Sequence, residues 1–138
     1  MAQENIREFQ DGECIFREGD ETQHMFVVQK GEVVVSKKSA TGKMVLATLK
    51  RGDFLGEMSL LESLPRNADA HASGKTTLLA IQPGGFLLKI RRDPTFAFEL
   101  LQSLSKRIRH TNERLLSEMQ DGMISETELK KILSEGGA

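Results

Sequence analysis

Tryptophan and tyrosine are missing from this 138-residue chain, and phenylalanine supplies all seven aromatic rings. Stacking on a planar ligand would therefore fall to a phenylalanine, an arginine or an aliphatic wall. A single cysteine, Cys14, excludes an intrachain disulfide and fits a reducing compartment. Between Glu13 and Ile15 it reads as a small core residue rather than a reactive thiol. Neither sign of charge dominates, with 19 basic against 20 acidic residues, so nothing argues for wholesale binding to nucleic acid or membrane. No apolar run approaches the ~20 residues of a membrane span. The opening MAQENIREF lacks the basic-then-apolar design of a signal peptide, and a cytoplasmic location is expected. His24, His71 and His110 are scattered without metal-ligand spacing, so no metal site is expected. A metal-dependent enzyme on a small β-roll would need a histidine cluster.

What the chain does have is glycine-punctuated strand signal, then helix. Turn pairs at Asp11-Gly12, Gly19-Asp20, Lys30-Gly31, Thr41-Gly42, Gly52-Asp53 and Ser73-Gly74 separate short runs rich in β-branched and aliphatic residues. Those runs are 13–16, 25–29, 32–36, 44–49, 68–72 and 76–81. Short strands at this spacing predict an antiparallel sandwich or roll. Gly31, between FVVQK and EVVVS, predicts a tight hairpin, as does Thr41-Gly42.

The pattern changes at Pro83, after which residues 84–92 predict a short helix. Pro94 suits the start of a second. From Thr95 to about Met119, Ala97, Leu101, Leu104, Ile108, Thr111 and Leu115 recur every three or four residues, the 3.5 period of a helix that pairs. Gly122 is a stop signal. Ser125 and Glu128 have capping-box spacing ahead of Leu129, Ile132 and Leu133, which predicts a last short helix. The fold class is thus α+β: an antiparallel β-roll, jelly-roll-like, with a short helix inside it and C-terminal helices including one long one. At this length a single domain buries roughly two-thirds of its unfolded surface. Its expected extent is residues 1–119, with the roll at about 9–82 and helices at about 84–119. Residues 120–138 form the short helix and tail.

The chemistry concentrates in residues 52–72, GDFLGEMSLLESLPRNADAHA. Glu57 directly follows a glycine, and Met58, Ser59, Leu60 and Leu61 read as one helical turn. A turn starting at Gly56-Glu57 aims unpaired backbone N–H groups at whatever precedes it, and its dipole favours negative charge there. Arg66 can bring a planar guanidinium to the same anion, bidentate for a phosphate or carboxylate. Glu57 would repel that anion, but it can accept hydrogen bonds from nearby hydroxyls. A small ligand carrying both a phosphate and a sugar hydroxyl satisfies both residues.

This stretch resembles the phosphate-binding cassette of the cyclic nucleotide-binding domain family, in which Gly-Glu, a hydrophobic residue, Ala or Ser and Leu precede a short spacer and Pro-Arg-x-Ala. The resemblance covers about residues 9–119. It implies that Glu57 holds the ribose 2′-hydroxyl and that Arg66 holds the cyclic phosphate, aided by the backbone at Gly56, Met58 and Ser59. It implies further that Asn67 and Ala68 border the phosphate, and that Val35, Leu46 and Leu49 wall the base and ribose. Stretch KRIRHTNERL resembles the long helix of the catabolite activator subfamily, where a Thr-Ser pair contacts adenine, one residue from each subunit of a dimer. Thr111 and Asn112 take that place, with asparagine for serine. A homodimer through the long helix is the corresponding expectation.

Asp69 departs from the family, which commonly has a threonine or apolar residue there. A carboxylate near the phosphate would weaken binding unless it points outward. Strand alternation puts Asp69 on the face of Asn67, opposite Ala68 and Ala70, and leaves its direction open. The expected function is a cyclic nucleotide sensor, not an enzyme, with no cofactor and with cAMP, or second cGMP, as ligand. The alternative is a degenerate domain that keeps the fold as a protein-interaction module. About twenty residues follow Met119, too few for a winged helix-turn-helix, so no DNA-binding segment is expected in this chain.

Overall fold

The computed structural model describes residues 4–122 and 125–135. Its elements run β1 (Glu4–Phe9), β2 (Cys14–Phe16), β3 (Met25–Ser39), β4 (Gly42–Leu49), β5 (Phe54–Leu55), α1 (Glu57–Glu62), β6 (Asp69–Ile81), α2 (Pro83–Arg92), α3 (Pro94–Gln120) and α4 (Glu126–Glu135). This is the α+β class expected, and the long helix is present. Two compact units part after Pro94, residues 1–94 and 95–138. No helix among the described residues is long and apolar enough to cross a membrane.

In the first unit every strand pairing is antiparallel, in the order β1-β6-β3-β4, with β2 also on β6 and β5 also on β3. The long β6 is the spine. Its second half lies between β1 and β3, and its first half between β2 and β3. The hairpin at Thr41-Gly42 forms as expected, with Ser39 opposite Gly42.

The hairpin expected at Gly31 does not form. Residues 25–29 and 32–36 are one strand, β3, and residues 68–72 and 76–81 are all but wholly one strand, β6. The ladder between them slips at Lys30, so that Lys30 pairs with Thr77 while Glu32 pairs with Ser73. Gly31 and Gly74 sit at that bend with φ of 80° and 72°. Thr76, fully buried there, holds its hydroxyl 3.0 Å from the carbonyls of both Glu32 and Gly74. Phe26, Val28, Leu78 and Ala80 come from one side of the bend, and Val33 and Ala70 from the other. All join one core cluster with Phe16 and Leu55. A bent ladder with its two halves on one core is a roll.

In the second unit, α3 buries Phe96 and Leu100, while Phe98, Leu101, Ile108 and Leu116 are exposed. The expected seam is therefore uncovered at Leu101, Ile108 and Thr111 and half-buried at Ala97, Leu104 and Leu115. The capping box forms: Glu128 N–H donates to Ser125 Oγ at 3.1 Å, and Ser125 N–H to Glu128 Oε2 at 3.4 Å. The side chains of Leu129, Ile132 and Leu133 lie outside the described residues.

Candidate functional site

Helix α1 is a single short helix opened by Gly56, whose φ of 81° a Cβ would strain. It closes on Ser63 in the left-handed region, with Ser63 N–H bonded to Ser59 carbonyl at 3.0 Å. The residues facing inward are Glu57, Ser59 and Leu60, while Met58 and Leu61 are exposed. Glu57 is only 4% exposed, an unusual placing for a carboxylate.

Arg66 is buried as well, at 3% exposure, and its guanidinium is turned into the protein. Nε donates to Thr22 Oγ1 at 3.2 Å, Nη1 to the Gly56 carbonyl at 3.2 Å, and Nη2 to the His24 carbonyl at 2.7 Å. The Phe16 ring lies under it, 4.4 Å from Cζ to the centroid, a cation–π distance. Its main chain is tied to the same segment: Arg66 N–H donates to the Asp20 carbonyl, and Gly19 N–H to the Arg66 carbonyl. Burial pushes the guanidinium below its ordinary value, against the opposite pull of the Asp20 and Glu57 carboxylates. A Cβ on Gly56 would stand 2.6 Å from Arg66 Nη1, so glycine also makes room for the guanidinium against the backbone.

His24 links this cluster to β1. Its Nε2 lies 3.3 Å from Arg7 Nη2, and because arginine can only donate, that nitrogen accepts and the ring is neutral. Burial first, then Arg7 and Arg66, lower its pKa.

The cassette residues are thus gathered: Gly56 bonds Arg66, and the Asn67 amide lies 3.9 Å from Met58 Sδ. Asn67 is exposed and Ala68 buried, as alternation requires. Val35 and Leu49 pack against the core. Leu46 does not stand opposite Val35. A bulge in β4 pairs Val35 with Ala47 and Ser36 with Val45, which leaves Leu46 exposed. Thr111 is exposed and Asn112 half-buried on α3, in the second unit. Sequence reasoning missed Asp20, Thr22, His24 and Phe16 as the partners of Arg66. Only the Gly19-Asp20 turn marked that segment.

Asp69 is engaged by the protein's own backbone. Its Oδ1 accepts from Glu18 N–H at 2.7 Å, capping the loop after β2. Asp69→Ala is expected to cost about 1–2 kcal/mol of stability through that unmet amide and lost charge-assisted bond. Cyclic nucleotide affinity should stay unchanged at low and high salt. A salt-dependent gain in affinity would mean that the carboxylate faces the phosphate after all.

A family model for the cyclic nucleotide-binding domain matches residues 6–93. The cyclic AMP receptor protein of Thermus thermophilus is 36% identical over 110 residues, 79% of this chain and 51% of that protein. A cAMP-dependent protein kinase regulatory subunit of Yarrowia lipolytica is 39% identical over 75 residues, 54% of this chain and 20% of its own length. This chain therefore spans about half, or less, of these curated relatives. Among solved structures, the catabolite activator protein of Thermus thermophilus superposes with a TM-score of 0.72 at 27% identity, covering 98% of this chain and 80% of that one. A cyclic nucleotide-binding domain from Methylobacillus flagellatus gives 0.73 at 25% identity, covering 84% and 68%.

Proposed function

This chain belongs to the cyclic nucleotide-binding domain family, and from that premise we propose that it is a cAMP sensor, with cGMP the second choice of ligand, and not an enzyme. The observation that carries the reading is that Glu57 and Arg66, a carboxylate and a guanidinium, are both buried beside Gly56 in one short segment. In this reading Arg66 takes the cyclic phosphate, and Glu57 accepts from the ribose 2′-hydroxyl. The backbone at Gly56, Met58, Ser59 and Ala68 and the amide of Asn67 complete the phosphate side. Val35, Leu46 and Leu49 form the apolar wall. Thr111 and Asn112 contact the base. Relatives named for cAMP support that base over guanine. The ligand signals by moving the C-terminal helices, which requires that it bind one arrangement more tightly than the other. The exposed Leu101 and Ile108 support a homodimer through α3. Sedimentation of the unmodified chain tests it, and a monomer at high concentration would remove that part of the reading.

The second reading is a domain of the same fold without nucleotide, favoured by the inward turn of Arg66. Calorimetric titration of nucleotide-stripped protein with cAMP and cGMP separates the two. Glu57→Gln is expected to weaken binding by about 1–2 kcal/mol, because a neutral amide accepts less strongly than a carboxylate. A 2′-deoxy cyclic nucleotide should lose a similar amount on the parent, and the two losses should not add. Full additivity would remove Glu57 as the ribose partner. No heat with either nucleotide would leave the second reading.

A further inference from the structure

Resting on the reading that Arg66 takes the cyclic phosphate, we propose that residues 20–24 form a latch on that arginine, and that Thr22 sets how readily it lets go. A guanidinium grips a phosphate through a fork of two neighbouring nitrogens. Here Nε donates to Thr22 Oγ1, Nη1 to the Gly56 carbonyl and Nη2 to the His24 carbonyl. Three of the five N–H groups, one on each nitrogen, are therefore already donating to the protein. Phe16 covers one face of the plane, and the residue is 3% exposed. Because the guanidinium is buried, a phosphate gains a bidentate grip only when the side chain is drawn out of this seat, which exchanges protein acceptors for phosphate oxygens. Ligand affinity is then the intrinsic affinity reduced by the fraction of molecules in which Arg66 is released.

The three acceptors differ in kind. Gly56 and His24 contribute main-chain carbonyls, which no side-chain change removes. Thr22 contributes the one side-chain acceptor, so it is where sequence can tune the latch. It is exposed, and its replacement takes nothing from the core. The main-chain bonds from Asp20 and Gly19 to Arg66 hold the segment in place without it. Thr22 acts through Arg66 and is a positioning residue.

The test compares the parent with Thr22→Val, which keeps the shape and removes the hydroxyl, and Thr22→Ser, which keeps the hydroxyl. In nucleotide-stripped protein labelled with 15N-arginine, the Arg66 Nε–H should exchange slowly with solvent in the parent and the serine variant, and faster in the valine variant. Calorimetry should show cAMP binding the valine variant about three- to tenfold more tightly than the parent, with serine restoring the parent value. Unchanged or weaker affinity in Thr22→Val overturns the latch, as does unchanged Nε–H exchange. If cAMP and cGMP bind none of the three proteins, the sensor reading fails and the latch against nucleotide falls with it. That result is distinct from binding that ignores Thr22.

Discussion

Arg66→Ala is expected to weaken cyclic nucleotide binding by about 2–4 kcal/mol and, unlike a simple contact deletion, to destabilise the free protein too. The binding loss follows from removing the charge-assisted fork and leaving the phosphate in a partly desolvated pocket. The stability loss follows from what Arg66 holds inside the protein. Its side chain bonds the Gly56 and His24 carbonyls and Thr22, and it stacks on Phe16. Alanine leaves those carbonyls short of a donor and opens a gap beside Phe16. It also weakens the positive field over the buried Glu57 carboxylate. Relief of the desolvated guanidinium acts the other way. Its main-chain and aromatic partners are held by the fold, so the loss wins, by about 1–3 kcal/mol. Arg66→Lys recovers only part of the binding, because an ammonium lacks the fork. Titration calorimetry and urea unfolding of stripped protein measure the two losses separately. Normal binding by the alanine variant would sink the cassette reading. Normal stability would mean that the inward arrangement contributes nothing.

The gathering of Gly56 with the buried Glu57 and Arg66 was legible in the sequence because it is local. The three lie within one short stretch, where residue types alone mark a carboxylate and a guanidinium beside a glycine. The helices were legible for the same reason. Apolar spacing from Thr95 to Met119 predicted what became α3, Pro94–Gln120, and the Ser125/Glu128 box caps α4. What the sequence did not disclose is what comes from far away. The acceptors for Arg66 Nε and Nη2 lie 44 and 42 residues upstream. His24 acts through its carbonyl, which every residue type possesses, so no letter of the sequence could mark it. Asp69 shows the same limit. Alternation gave its face, but the amide it meets is 51 residues away, at Glu18. The bulge at Leu46 is similar, since only the partner strand determines which residue is extruded.

Gly31→Ala is expected to be among the most destabilising small substitutions in the chain, at about 2–5 kcal/mol, and it addresses the main misreading of the fold. A glycine between two β-rich runs signals a turn, because a tight hairpin needs positive φ. A bend within a long strand needs it equally, and sequence does not distinguish them. The difference lies in the partner strand. At Gly31 an added Cβ would collide with the Lys75 carbonyl oxygen and stand 2.6 Å from Thr76 Oγ1 and 2.8 Å from Thr76 Cα. These are mostly backbone atoms of β6 and cannot swing aside. The cost therefore adds overpacking, about 1–3 kcal/mol, to left-handed strain of about 1–2 kcal/mol. Gly74, on the opposite strand of the same bend, is the control. Its φ is 72°, yet nothing lies within 4 Å of its added Cβ. Gly74→Ala should cost only the strain. Urea unfolding with an unchanged m-value reads both costs. A simple hairpin at Gly31, with a solvent-facing turn, would make the two substitutions equivalent. A cost at Gly31 at least 1 kcal/mol above that at Gly74 is the signature of β3 and β6 pressed together at the bend.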